Sequence, residues 1–200
     1  MPYDPRKHHR QSIRLPGYDY TNAGMYFITV CVKDRTFWFG DVVNETVVLT
    51  PIGRIIQSVW DDLPAHYPGV AVDRFVVMPN HLHGIVVLTA GRLGPGPVSV
   101  RAEARYQEGQ KAPLLGEVVA RFKSMAYTAC RQTGNARSFW QTNYYERIIR
   151  DGNSLGKIRY YITNNPRRWM IDPENPNRIG DDPIEAWLRG TGEDDGGNGM

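Results

Sequence analysis

Two runs rich in β-branched and aliphatic residues, VAVDRFVVMP (Val70 to Pro79) and HLHGIVVLTA (His81 to Ala90), are separated by a single asparagine, Asn80. Each has the length and composition of a strand, and so short a connection joins only antiparallel neighbours, so the pair predicts a β-hairpin. A sheet grown from such a hairpin needs its apolar faces covered, and the chain supplies segments of helical period. After Thr50, a suitable N-cap, and Pro51, suited to the first helical position, Ile52, Ile55, Ile56, Val59, Trp60 and Leu63 recur at helical spacing until Pro64 ends the run. Leu114 to Gln132 carries a second apolar stripe through Leu115, Val118, Val119, Phe122, Met125, Ala126 and Ala129. A third helix is expected from an N-cap at Asn153 to about Asn165, where Pro166 limits it. Met25 to Asp34 and Glu45 to Thr50 read as further strands, and Phe139 to Arg150 as extended. The order β, β, α, β, β, α, β, α predicts an α+β fold on a mainly antiparallel sheet.

The length of 200 residues suits one domain. We divide the chain into a basic arm over 1–20, a single domain over 21–188, and a disordered acidic tail over 189–200. Within the domain, 91–112 is rich in Gly, Pro and charge and reads as a flexible loop. The two cysteines, Cys31 and Cys130, form neither a CxxC nor a Cys/His cluster, so neither a disulfide framework nor a structural zinc site is expected. No signal peptide or membrane span is legible, and a cytoplasmic protein is expected. The net charge is only +3, but its distribution is uneven. Residues 101–168 hold 13 Lys or Arg against 5 acids, whereas 172–200 hold 8 acids against 2 bases. A clustered basic region of this kind is the electrostatic footprint of a nucleic-acid partner.

The sharpest chemical feature is PNHLHG. His81 and His83 are two apart on an expected strand, so both imidazoles project from one face. Two imidazoles on one face make half a metal site or an acid/base pair. The second feature is YYITNNP, Tyr160 to Pro166. On a helical wheel Tyr161 and Asn165 lie one turn apart at the edge of the stripe set by Leu155, Ile158 and Ile162, while Tyr160 points to solvent. Tyr161 is therefore the better placed nucleophile. Together these features describe a phenol attacking a phosphodiester beside a divalent cation. The mixture of imidazole and amide oxygen leaves magnesium or manganese open.

VVMPNHLHGIVV resembles the HUH motif (histidine, bulky apolar residue, histidine) of single-tyrosine transposases, and Tyr161-x-x-x-Asn165 is similar to their nucleophile helix. RQSIRLPGYDYTNAGMYFITVCVKDR, the FKS at Phe122 to Ser124, FWQTNYYERIIRD and RYYITNNPRRW resemble segments of the REP-associated tyrosine transposases, over roughly residues 10 to 172. The resemblance implies a ferredoxin-like antiparallel sheet with helices packed on it, the HUH endonuclease fold. It implies a divalent metal held by His81, His83 and Asn165, and a 5′-phosphotyrosine link at Tyr161 that frees a 3′-OH. It implies single-stranded DNA folded into short palindromic hairpins as the partner, bound by a monomer or a homodimer. One departure is Tyr145-Glu146-Arg147, where many relatives carry histidine third; arginine binds phosphate but is a poor proton shuttle.

For DNA, Arg121, Lys123, Arg147, Arg150, Arg159, Arg167 and Arg168 are candidate phosphate contacts, which give affinity and salt dependence but not sequence choice. Trp140, Tyr144 and Tyr145 are candidate stacking platforms for unpaired bases. The alternative function is a hairpin-DNA binding protein without catalysis, which metal-independent binding with no cleavage would identify. A nuclease using water would instead release free 5′-phosphate ends and form no adduct.

Overall fold

A computed structural model describes residues 23–89, 113–134 and 138–188. The arm expected over 1–20, the loop over 91–112 and the tail over 189–200 lie outside the described residues.

Among the described residues the central sheet has four strands: β1 (Gly24–Cys31), β4 (Val70–Val77), β5 (His81–Leu88) and β6 (Tyr145–Ile149), in the spatial order β4-β5-β1-β6. Every neighbouring pair is antiparallel. With a helix between β1 and β4 and another between β5 and β6, this is the ferredoxin-like βαββαβ arrangement. The hairpin expected about Asn80 is present, with Met78 N–H donating to the His81 carbonyl at 2.8 Å. β5 occupies an inner position and is buried along its whole length, which explains its near-continuous apolar composition.

Outside this sheet, β2 (Gly40–Val43) and β3 (Thr46–Leu49) form a separate ribbon. Only the second of them was legible. Asn44 and Glu45 between them both have positive φ, 50° and 60°, the backbone that a two-residue turn of matching twist demands.

Side chains alternate across the sheet, and two cores result. On one face Tyr26, Ile28, Val30, Leu82, Val86 and Leu88 meet α1 (Pro51–Asp61) and α3 (Leu115–Gln132). The Thr50 hydroxyl caps α1 by accepting from Gly53 N–H at 3.0 Å, as expected. The helix stops at Asp61, before Pro64, which instead sits inside a one-turn helix, α2 (Leu63–His66). Proline is tolerated there because its missing N–H falls in the first turn. Trp60 of α1 lies flat enough on β5 that a Cβ at Gly84 would come within 2.4 Å of its ring.

On the other face Phe27, Ile85 and Val87 pack against α4 (Gly152–Asn164) through Ile158, Tyr161 and Ile162. The N-cap of α4 is Asp151 rather than Asn153: its carboxylate accepts from Ser154 N–H at 2.7 Å. Asn153 comes one residue after Gly152, where the backbone is already helical. Beyond Asn164 the chain tightens into a 3-10 segment over Asn165–Ile171 that absorbs Pro166, and a short α5 (Pro183–Leu188) closes over the same face. No helix among the described residues is long and apolar enough to cross a membrane.

Candidate metal and tyrosine site

The period of two along β5 places His81, His83, Ile85 and Val87 on the α4 face. His81 and His83 are 0% and 3% exposed, with their Nε2 atoms 3.0 Å apart. The third group is Asp172, at the end of the 3-10 segment, with Oδ2 3.7 Å from His81 Nε2 and 4.0 Å from His83 Nε2. Asn165 is also buried; its amide nitrogen donates to Asp172 Oδ2 at 3.0 Å. Its Oδ1 has no hydrogen-bond partner among the described residues. Leaving such an acceptor buried and unmatched costs free energy, so an oxygen of this kind suits a ligand.

Burial draws the His81 imidazole down to about 3, against the pull of the Asp172 carboxylate. It is therefore neutral at physiological pH, the form that ligates metal. Burial pushes the Asp172 carboxyl up, but His81, His83 and the Glu174 N–H outweigh it and hold Asp172 below the usual carboxylate range. Two imidazole nitrogens, one carboxylate and an orphaned amide oxygen form a donor set that fits a divalent cation. His81, His83 and Asp172 have ligand atoms that all lie within 4.8 Å of one another.

Tyr161 reaches this group from α4. Its hydroxyl lies 3.2 Å from His83 Nε2 and donates to Glu185 Oε2 of α5 at 3.2 Å. Phe27 stacks on His83 at 5.4 Å and meets Tyr161 edge-on at 6.0 Å, fixing both rings. Burial first, then the carboxylates of Glu185, Asp172 and Asp182, push the Tyr161 phenol well above its ordinary value. Tyr160 points outward and is 58% exposed, as the helical wheel indicated. A cavity of about 190 Å³ opens beside Tyr161, His83 and Asp172, walled by Gln141, Asn143, Tyr144 and Glu174.

Asp172 and Glu185 escaped the sequence reading, which placed both in an acid-rich C-terminal stretch. The signal available for Asp172 was its position three residues beyond Trp169, which continues the apolar stripe of α4. Glu185 sits in a six-residue helix with no periodicity to read.

The basic residues are placed unevenly. Lys123 faces inward, and its ammonium donates to the carbonyls of Gln141, Thr142 and Asn143 at 2.8, 3.3 and 3.0 Å. Arg159 pairs with Asp73, its Nε donating at 3.0 Å. Arg168 pairs with Asp182, its Nε donating at 2.8 Å. Arg147 donates to the Leu188 carbonyl at 2.9 Å and lies 4.2 Å over the Trp187 ring. These four are committed to intramolecular partners. Arg121 and Arg150 are exposed, and among the described residues Arg167 makes an exposed contact of 3.4 Å with Glu45. Trp140 is a core residue at 7% exposure, its indole N–H donating to the Lys123 carbonyl at 3.2 Å. Tyr144 and Tyr145 are half-buried in the cavity wall, and the Tyr145 hydroxyl donates to the Leu188 carbonyl.

No family model matches the chain. A Haemophilus influenzae protein of uncharacterised function is 40% identical over 172 residues, spanning 85% of this chain and 95% of the relative. A second Haemophilus influenzae protein, provisionally named a REP-associated tyrosine transposase, is 26% identical over 149 residues, 74% of this chain and 73% of that one. Among solved structures, a REP-associated tyrosine transposase bound to a REP hairpin superposes with a TM-score of 0.52 at 20% identity, covering 78% of this chain and 73% of the other. At that identity the likeness speaks for the fold.

Proposed function

We propose that the chain is a REP-associated tyrosine transposase, a reading supported by its relatives and by its fold, and that it cleaves and rejoins one strand of hairpin-forming DNA, with Tyr161 as nucleophile. The observation that carries the reading is the Tyr161 hydroxyl 3.2 Å from His83 Nε2, in the cavity that both line with Asp172. A phenol has no structural need of two histidines and two carboxylates around it. The solved relative held with a REP hairpin supports palindromic DNA as the partner class.

In the proposed reaction the Tyr161 oxygen attacks phosphorus of a phosphodiester, and the bond from phosphorus to the 3′ oxygen breaks. The products are a 5′-phosphotyrosine and a free 3′-OH. Attack by a 3′-OH on the phosphotyrosine reverses the sequence and restores the phenol. Glu185 Oε2 already accepts the phenolic hydrogen bond, so it is the group placed to take the proton. His81, His83 and Asp172, with Asn165 Oδ1 as a further donor, would hold magnesium or manganese, which when bound polarises the scissile phosphate and offsets the surrounding carboxylates. Tyr161 and the histidines belong to one chain, which supports a site complete within a monomer. Arg121, Arg150 and Arg167, being exposed, are the arginines placed to meet phosphates.

A second reading, hairpin binding without cleavage, is favoured by one observation: Tyr161 is 0% exposed beneath α5. A denaturing gel of the full chain with labelled single-stranded hairpin DNA from the region flanking its own gene, with and without manganese, separates the two. A manganese-dependent protein-linked band that Tyr161→Phe loses, with binding retained, supports cleavage. Tight binding with no adduct across several hairpins and both metals supports the binding-only reading.

A further inference from the structure

Each of the two histidines is held from behind by one side chain that the reaction scheme does not use. Asn80 Oδ1 lies 2.9 Å from His81 Nδ1, and Thr29 Oγ1 lies 2.8 Å from His83 Nδ1. All four residues are buried. We propose that Asn80 and Thr29 are positioning residues of the metal site, which keep both imidazoles with Nδ1 protonated and Nε2 bare toward the cation. The proposal rests on the metal reading given above.

For His81 the proton assignment follows by elimination. The Asn80 amide nitrogen donates to the carbonyls of Arg35 and Glu174 at 3.1 and 2.8 Å. Carbonyls only accept, so the amide orientation is determined, and Oδ1 is what faces His81. An amide oxygen also only accepts, so Nδ1 must carry the proton. A neutral imidazole has one N–H, which leaves the lone pair on Nε2. Thr29 sits opposite His83 in the β1–β5 register, and its hydroxyl can accept from Nδ1–H in the same manner. Unlike an amide oxygen it can also donate, so its hold on the His83 tautomer is the more adaptable.

Asn80 does a second thing. Glu174 is two residues beyond Asp172, and the Glu174 N–H donates to Asp172 Oδ1 at 2.7 Å. The amide that orients His81 thus also anchors the turn that presents the carboxylate. The Arg35 carbonyl comes from a turn in which Asp34 and Arg35 both have positive φ, 57° and 53°, an uncommon backbone for residues other than glycine. The Arg35 side chain meets Glu174 Oε2 at 3.8 Å. Three segments far apart in sequence are therefore gathered on Asn80, and two of them bear the proposed ligands. Ligating histidines ordinarily depend on such partners, whose loss weakens metal binding by about 10- to 100-fold.

Two measurements on the full chain test this. Two-bond proton–nitrogen spectra of the chelator-treated, 15N-histidine-labelled wild type should show His81 protonated at Nδ1; a proton on Nε2 would overturn the assignment without any variant. Manganese titration, followed by the electron paramagnetic resonance of the free ion, should show affinity about 10- to 100-fold weaker in Asn80→Ala and Thr29→Val, and restored in Thr29→Ser. Wild-type affinity in folded Asn80→Ala and Thr29→Val would overturn the positioning role. Should Asn80→Ala fail to fold, the near-isosteric Thr29→Val and its serine rescue still decide for His83, and the wild-type spectrum decides for His81. Absence of manganese uptake by the wild type would instead sink the metal reading itself, and the spectrum would still decide the tautomer.

Discussion

The Tyr161 hydroxyl and His83 Nε2 stand 3.2 Å apart, although 78 positions separate them in sequence. The sheet brings this about, because β5 is an inner strand and α4 crosses the face on which odd-numbered β5 residues point. Asp172 enters the same space from the 3-10 segment that follows α4, so the proposed ligand set differs from the one implied by resemblance alone.

That difference is testable. Asp172→Ala removes an anionic ligand atom and leaves two neutral imidazoles, whereas Asn165→Ala removes a neutral oxygen and a hydrogen bond to Asp172. Manganese affinity should fall in both, and further in Asp172→Ala, because the carboxylate supplies the charge. Calorimetric titration of the two variants checks the order; a larger loss in Asn165→Ala would point to the amide as the principal oxygen ligand.

Glu185→Gln keeps the size of the side chain but lowers its basicity. If Glu185 takes the phenolic proton, the rate of adduct formation should drop by about 100-fold or more. Manganese affinity should be unchanged, since Glu185 is not among the grouped ligand atoms. Single-turnover kinetics measure this. A faster rate in the variant would mark Glu185 as a shield of Tyr161 instead.

Much of this architecture was legible. The hairpin about Asn80 follows from strand composition and a short connection, and the α1 stripe and the inward turn of Tyr161 against the outward turn of Tyr160 follow from periodicity, which a sequence displays directly. β2 was not legible because its sequence opens on Gly40 and Asp41, which are poor strand formers, and α2 because a single turn shows no helical period. Asp172 and Glu185 were missed for a related reason: they lie in irregular or very short segments, where net charge is the strongest signal and suggests a solvated tail. Lys123, Arg147, Arg159 and Arg168 looked like a surface for phosphates, yet their partners are Asp73, Asp182 and backbone carbonyls that only the tertiary fold brings near.

Gly84, next to His83, should tolerate no side chain. In Gly84→Ala the new Cβ would meet the Trp60 ring at 2.4 Å, and that ring is wedged among Phe75 and Phe122. Overpacking of this kind costs about 1–3 kcal/mol. Urea denaturation should show a lower midpoint, and Trp60→Phe should recover part of the loss.

Lys123 ties the loop that walls the cavity, and Lys123→Met should lower stability by about 1–3 kcal/mol. Burial also draws its ammonium down to about 8, from 10.5. Between those values the unfolded chain retains a proton that the folded chain has released, so this residue's contribution makes stability rise with pH across that window. The wild-type minus Lys123→Met difference in unfolding free energy should therefore climb from pH 8 to 10.5. A flat difference would mean that the three carbonyls hold the ammonium charged throughout.

The central claim is that Tyr161, beside the His81–His83–Asp172 group, is the residue that DNA becomes joined to. Mass spectrometric mapping of the protein–DNA adduct, after nuclease trimming and proteolysis, tests it most directly, because exposed Tyr160 lies next in sequence. The expected result is a nucleotide phosphate on Tyr161 alone, formed only with manganese or magnesium. A nucleotide on Tyr160, or cleaved DNA with no modified tyrosine, would contradict it.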